Sequence, residues 1–124
     1  MTRDLLENCA ETNTTIMTVD GERTRPEVEA GIARLIEQFQ NQPTRHVVVD
    51  IREAIYDQPI ADIIKDWSLV AMLLPRARVA LVYSERTLTP ALATVGALEA
   101  SHHEAEAFET LNAALSWIGQ PKAA

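Results

Sequence analysis

The chain has 124 residues, of which 47% are hydrophobic and 23% charged, as expected for one soluble globular domain spanning residues 1–124 with a single core. Its net charge is −7 and its 11 basic residues are scattered, which argues against a nucleic-acid partner. Cys9 is the only cysteine, so no intramolecular disulfide can form, and we expect a cytoplasmic location. No apolar run approaches the ~20 residues of a membrane span.

The amino-terminal segment is ambiguous, because residues 1–13 could form a short helix or an edge strand. Thr14–Val19 is rich in β-branched residues, which predicts a strand that ends at the turn residues Asp20 and Gly21. If residues 4–10 are also extended, Glu11, Thr12 and Asn13 form the hairpin between two antiparallel strands.

The first helix is predicted from its start signal. Thr24 and Glu27 have the spacing of a capping box, with Pro26 in the first turn, and Pro43 marks the exit from the helix. The apolar residues that follow lie on one stripe at helical spacing. They are Val28, Ile32, Leu35, Ile36 and Phe39.

The central strand is predicted from Val47–Val49, an unbroken β-branched run that stops at Asp50. Because helical segments flank this run, it fits a parallel sheet covered on both faces, with Asp50 at the carboxyl end of the strand. Ile51–Gln58 is then a loop, in which Asp57 caps the next helix and Pro59 lies in its first turn.

The second helix has the clearest inward stripe, and Pro75 ends it. Leu69, Met72 and Leu73 lie outside this stripe, which favours a dimer or docking surface on the helix. The alternative is a wide stripe that the carboxyl-terminal helix covers. The inward stripe consists of Ile60, Ile63, Ile64, Trp67, Val70, Ala71 and Leu74.

A further buried strand is predicted at Arg78–Tyr83, followed by a loop at residues 84–86. The third helix begins at Thr89 and Pro90 and runs to about Ala100. In this helix we expect Leu92 and Val95 to face inward.

The carboxyl-terminal part is predicted as a short edge strand at Glu104–Glu109 and a final helix with Gly119 as its C-cap. Gly31 and Gly96 lie inside helices, where we expect close helix–sheet contacts. The apolar residues of the final helix are Leu111, Ala114, Leu115 and Ile118.

The alternation of strands and helices predicts the fold class. The expected architecture is α/β, with a mixed, mostly parallel sheet of four to five strands flanked by about four helices. An amino-terminal hairpin would give this sheet its antiparallel edge.

A family resemblance is carried by the segment VVVDIREAIYDQPIADIIKDW, in which a strand ending in Asp leads through a short loop to a helix. This segment resembles the core of STAS domains, the fold of sulfate-transporter domains and anti-sigma-factor antagonists. The segments DGERTRPEVEAGIARLI, RVALVY and EAEAFETLNAALSWIG resemble the SpoIIAA-like (STAS/SEC14-type) bacterial proteins. In these proteins a strand ending in Phe leads to a helix ending in Trp and an aliphatic residue, here Phe108, Trp117 and Ile118.

The sequence departs from that family at the junction before the second helix. In anti-sigma-factor antagonists the Asp at this junction precedes a phosphorylatable Ser or Thr, whereas here Asp57 precedes Gln58. Because glutamine cannot accept a phosphate, we expect the phosphorylation switch that the resemblance implies to be absent.

A set of polar residues is predicted at the carboxyl ends of the strands, where open α/β sheets bind ligands. This set is a candidate ligand or partner site; the alternative is a solvated group of loops with Asp57 as an N-cap and an internal Arg–carboxylate pair. The candidates are Asp50, Arg52, Glu53, Tyr56, Asp57, Gln58, Ser84, Glu85 and Arg86.

Neither a metal site nor a cofactor is predicted. Adjacent His102 and His103 diverge on a helix or a strand, so we interpret them as a solvated helix end, and His46 as the first residue of the central strand. Cys9 is interpreted as a half-buried structural residue. Glycine-rich phosphate loops are missing from the sequence.

Together these patterns predict a non-enzymatic regulatory or protein-interaction module that forms a homodimer or binds a regulatory protein. The first alternative, which the resemblance implies, is a carrier of a small apolar, lipid-like ligand. The second is an enzyme with Asp50 or Asp57 as general base near Ser84 or Tyr56.

Overall fold

A computed structural model describes residues 3–9, 13–41 and 46–120. The five strands form one sheet in the order β1-β2-β3-β4-β5, in which β1 is antiparallel to β2 and all other neighbours are parallel. This arrangement confirms the predicted mixed, mostly parallel α/β architecture. The strands are β1 (Arg3–Cys9), β2 (Thr14–Arg23), β3 (His46–Tyr56), β4 (Arg78–Val82) and β5 (Glu104–Phe108), and the helices are α1 (Arg25–Asn41), α2 (Ile60–Leu73), α3 (Leu88–Ala100) and α4 (Leu111–Ile118).

The three central valines supply both cores of the protein, because successive side chains of a strand point to opposite faces of the sheet. Val47 and Val49 belong to the core that α1, α2 and α3 cover, and Val48 belongs to the core under α4. All three are almost fully buried. The prediction that this run forms the central strand is confirmed.

The predicted loop at residues 51–58 is wrong, because β3 continues to Tyr56 and pairs with β2 as far as Arg23. A register shift marks a β-bulge in this pairing, since Thr18 lies opposite Asp50 whereas Asp20 lies opposite Glu53. The bulge lets Ile51 and Ala54, three residues apart, both enter the core under the three helices.

The predicted turn at Asp20 and Gly21 is also wrong, since both residues lie within β2. Gly21 pairs with Ala54 and has a φ of 81°, a left-handed conformation that glycine adopts without steric cost. The Asp–Gly pair therefore does mark a special backbone conformation, but this conformation belongs to the irregular pairing beside the bulge and not to a turn.

Helix α1 begins at Arg25, immediately after Thr24, as the capping-box spacing predicts. Helix α2 begins differently, because Pro59 occupies its N-cap position with a φ of −58° and a ψ of 147°. Asp57 lies two residues before this position and makes no side-chain cap, so the predicted N-cap is wrong.

The inward stripes of α1 and α2 are confirmed in their main members, including Val28, Leu35 and Phe39 of α1. Ile60 and Ile64 are exceptions, because both are exposed at the edge of the α2 stripe.

Two predictions for α3 are wrong. Leu92 is 55% exposed, because the buried face of this helix is formed by Ala91, Thr94, Ala97 and Leu98. Gly96 is exposed, and apart from its chain neighbours and the backbone of its own helix no described atom lies within 4 Å of the position that a Cβ would take, so it makes no close helix–sheet contact.

The terminal elements agree with their predicted positions. β1 confirms the strand alternative for the amino-terminal segment, with Cys9 paired to Thr14. β5 is an edge strand, and Gly119 is the C-cap residue of α4. The predicted hairpin residues Glu11 and Thr12, the exit at Pro43 and the burial of the Cys9 side chain lie outside the described part of the chain.

Candidate functional site

The predicted site centres on an ion pair between Asp50 and Arg52. Asp50 is the last residue of β3 that pairs with β4, opposite Val82. Its Oδ2 accepts a hydrogen bond of 2.8 Å from Nη2 of Arg52, and its Oδ1 accepts one of 3.0 Å from Nε. The hydrogen bond with Asp50 is the main cause that raises the pKa of Arg52, and burial opposes it. This contact confirms the internal Arg–carboxylate pair that the sequence suggested.

Ser84 joins this pair from the adjacent strand end. Its Oγ donates to the backbone carbonyl of Arg52 at 3.1 Å, and its backbone N–H donates to Oγ1 of Thr87 at 2.9 Å. Ser84 therefore begins the short 3₁₀ turn of residues 85–87 that leads into α3. Glu85 and Arg86 lie in that turn and are exposed.

The remaining predicted site residues do not join this group. Tyr56 and Gln58 line a small cleft under α1 and α2, on the sheet face opposite to Asp50. Glu53 and Asp57 are exposed. The structure therefore divides the predicted site into two, because the bulge after Asp50 turns the end of β3 and sends Tyr56 into the helix-covered core.

This geometry limits the chemistry that the set could perform. Both carboxylate oxygens of Asp50 accept hydrogen bonds from Arg52, and the hydroxyl of Ser84 donates to a backbone carbonyl. Tyr56 lies on the opposite face. Asp50 and Ser84, which we considered as a general base and its partner, are thus engaged in contacts that hold the strand ends together.

The cleft that Tyr56 and Gln58 line is small, with a volume of about 30 Å³. Its walls are mostly apolar, and they include Ile63 and Trp67 of α2.

An ion pair that sequence reasoning missed joins these two helices. Nη1 of Arg25 donates to both carboxylate oxygens of Asp66, at 2.9 and 2.7 Å, and Nε donates to Glu29 at 3.1 Å. The hydrogen bond to Asp66 is the main cause that raises the pKa of Arg25. The sequence feature that could have predicted this ion pair is the position of Asp66 next to Trp67, inside the inward stripe of α2, because a buried carboxylate needs a partner.

A second missed cluster lies at the amino ends of the parallel strands. Arg78, whose side chain is buried, donates from Nε to Oε2 of Glu104 at 2.9 Å. Its Nη1 donates to the carbonyls of Trp117 and Gln120, at 3.0 and 2.6 Å, at the carboxyl end of α4, where the Trp117 carbonyl also accepts from the backbone N–H of Gln120. An open groove of about 480 Å³ borders this cluster, with Arg76 and His102 among its lining residues.

The predicted solvated histidine pair is only half right. His102 is exposed, but His103 is buried. Nε2 of His103 lies 2.8 Å from the carbonyl oxygen of Ala71, and Nδ1 accepts a hydrogen bond of 3.4 Å from the amide of Ala77. The buried ring thus connects the end of α2 to the start of β4.

The surface predicted on α2 is exposed in the structure. We call Leu69, Met72 and Leu73 the α2 outer face; their exposed fractions are 56%, 76% and 56%. The alternative, in which the carboxyl-terminal helix covers these residues, is wrong because α4 packs on the other face of the sheet. No other described element covers them.

Within the described residues, no group of three or more His, Cys, Asp or Glu side chains is arranged to hold a metal ion. None of the described helices is both long and apolar enough to cross a membrane.

Comparison with known proteins identifies the fold. The chain is similar to a solved structure of an uncharacterized protein of the DUF3478 family, with a SpoIIAA-like fold, from Shewanella loihica PV-4. The two are 19% identical, with a TM-score of 0.65 over 94% of this chain and 93% of the other. This chain therefore has the SpoIIAA-like fold, as the resemblance implied. No family model matches the sequence, and neither does any curated protein.

Proposed function

We propose that this protein is a non-enzymatic interaction module that binds a protein partner through the α2 outer face. The observation that carries this proposal is the exposure of three large apolar side chains within five residues of one helix. Contiguous apolar surface of this kind is uncommon on soluble monomers and is typical of protein-binding sites.

The strand-end residues support a binding role over a catalytic one. Asp50, Arg52 and Ser84 contact one another or the backbone, so their polar groups already have partners in the isolated chain. A general base needs a free acceptor within hydrogen-bond reach of the proton that it removes. We therefore assign these residues to positioning the ends of β3 and β4.

The proposed module works without a phosphorylation switch before α2. Gln58 occupies the position of the phosphorylatable residue that the resemblance implies, and its half-buried side chain lines the cleft under α1 and α2. An amide at this position takes no phosphate, so binding at the α2 outer face would depend on partner concentration and not on a charge added here.

The test compares two variants that add the same charge on opposite sides of the sheet. Met72→Glu places a carboxylate in the α2 outer face, and Ala113→Glu places one on the exposed surface of α4. Wild type and the Ala113→Glu variant should each form a stoichiometric complex with a protein partner, measured by size-exclusion chromatography with light scattering. The Met72 variant should not, because burying an unpaired carboxylate in an apolar contact is unfavourable.

Folding of both variants is checked by urea unfolding. Because Met72 is 76% exposed, its substitution should change the free energy of unfolding by less than about 0.5 kcal/mol. If wild type binds no protein in a manner that depends on Met72, the proposal is wrong.

A further inference from the structure

The exposed side of α2 changes in character along its length. Asp62 and Lys65 are exposed in its first half, the apolar α2 outer face occupies its second half, and Arg76 is exposed just beyond its end. Positions 62, 65, 69, 72 and 73 follow helical spacing, so they lie on one side of the helix.

We propose that the partner on this surface is a second copy of this chain, with the two α2 helices packed antiparallel about a two-fold axis near Leu69. This inference rests on the proposed function, because it needs the α2 outer face to be a docking surface. A two-fold axis places the same patch on both copies, so an apolar centre meets an apolar centre.

The charges favour the antiparallel arrangement. When the helices run in opposite directions, Asp62 lies near the partner's Arg76, and Arg76 lies near the partner's Asp62. A parallel arrangement would bring each charge close to its own equivalent, and like charges repel. The side chains of Asp62 and Arg76 form no ion pair with other described residues, so both are available for this contact.

The neighbouring charges do not interfere with this pairing. Asp66 is already held by Arg25 at 2.7 Å and is buried. Lys65 lies one turn after Asp62, where its aliphatic stem can cover the partner's Leu73 while its ammonium group stays in water. The antiparallel arrangement thus gives each exposed charge of this surface either an opposite charge or solvent.

The size of the patch predicts a weak dimer. Helix α2 has 14 residues and is ~21 Å long, so a helix pair buries less than the ~800 Å² per partner of a standard interface. We expect a dissociation constant on the order of 10–100 µM, which makes the dimer dependent on concentration.

The experiment is a charge swap measured by sedimentation equilibrium from about 1 to about 500 µM protein. Asp62→Lys and Arg76→Glu should each raise the dimer dissociation constant roughly ten-fold, because each replaces two attractive contacts by two repulsive ones. The double variant should return to within about three-fold of wild type. Arg86→Glu changes the net charge as Arg76→Glu does but lies in the 3₁₀ turn before α3, and it should have no effect.

The outcomes separate this inference from the proposed function. If Met72→Glu abolishes the dimer, but combining Asp62→Lys with Arg76→Glu does not recover the affinity that the single changes lose, the antiparallel pairing is wrong and the docking surface stands. A wild-type chain that stays monomeric at the highest concentration contradicts the second copy as partner. If that monomer also forms no complex with another protein through Met72, the proposed function fails as well.

Discussion

The two ends of the parallel strands hold their polar side chains in different ways. At the amino ends, Arg78 and His103 bind backbone groups of elements 26 to 42 residues away in the chain. At the carboxyl ends, Asp50 binds Arg52, two residues along the same strand, and Ser84 binds the backbone of the neighbouring strand. The contacts of Arg78 and His103 join helices to the sheet, whereas those of Asp50 and Ser84 fix the ends of β3 and β4.

This difference follows from the direction of the helices. In a parallel α/β fold the helices run opposite to the strands, so their last carbonyl groups gather at the amino ends of the strands. These carbonyls carry partial negative charge, and the side chains of Arg78 and His103 satisfy them. We therefore expect substitutions at the amino end to lower the stability of the whole domain and those at the carboxyl end to have smaller effects.

The largest effect is expected for Arg78→Ala. This change leaves the carbonyl of Gln120 without its donor, removes one of the two donors to the carbonyl of Trp117 and removes the partner of Glu104. We expect the free energy of unfolding to fall by about 3 kcal/mol, measured by urea unfolding. Arg86→Ala removes an exposed arginine and is the control, with an expected change under about 0.5 kcal/mol. Equal losses in the two variants would contradict the contrast between the two ends.

His103→Leu should have the next largest effect. The leucine has a side chain of similar size but without hydrogen-bonding groups, so it leaves the carbonyl of Ala71 and the amide of Ala77 without their partner. The expected loss is about 2 kcal/mol in the free energy of unfolding.

The adjacent position provides the control for His103. His102 is exposed and has a φ of 68°, so His102→Gly removes a left-handed strain and should not lower stability. A loss for His102→Gly as large as that for His103→Leu would show that the turn, and not the buried ring, determines the effect.

The sequence predicted the layers of the fold well because local patterns determine them. The β-branched run Val47–Val49 between helical segments predicted a buried strand, and the prolines and apolar stripes located the helices. The end of β3 was missed because one extra residue at the bulge breaks the period-two pattern, so that Ile51 and Ala54 do not alternate. Asp50 does end the pairing with β4, which explains why the strand looked complete at that point.

The polar clusters were harder to predict, for a reason that the two ends make clear. The pair of Asp50 and Arg52 could be inferred because its members are neighbours in sequence. The partners of Arg78 and His103 are backbone groups of distant elements, and no residue type in the sequence marks a backbone carbonyl as needing a donor. Contacts of this kind become visible only when the fold brings the elements together.

Gly21→Ala should destabilise the protein by about 1–2 kcal/mol, because an alanine at a φ of 81° is strained. This glycine lies in the ribbon of β2 and β3 that extends beyond Asp50, so the change tests the carboxyl end without touching its ion pair. Gly96→Ala is the matched control. It should stabilise by about 0.5–1 kcal/mol, because Gly96 is an exposed helical residue with space for a methyl group. In urea unfolding, a free energy of unfolding that falls for Gly21→Ala and rises for Gly96→Ala would support the role of the bulge. A stabilising Gly21→Ala would contradict it.

The smallest effect is expected for Asp50→Asn, which keeps the shape of the side chain and removes its charge. Arg52 is 39% exposed, so solvent screens much of the ion pair and the loss should be about 1 kcal/mol or less.

The sign of the pH dependence follows from the raised pKa of Arg52. A raised pKa stabilises the folded state below the unfolded-state pKa, and this contribution is lost only as the pH rises through the folded-state value. Both values are strongly alkaline, so the titration of Arg52 cannot change the difference between wild type and variant from about pH 6 to about pH 9. Urea unfolding across this range checks the argument. A difference that exceeds the loss from Arg78→Ala would mean that the carboxyl end, and not the amino end, holds the domain together.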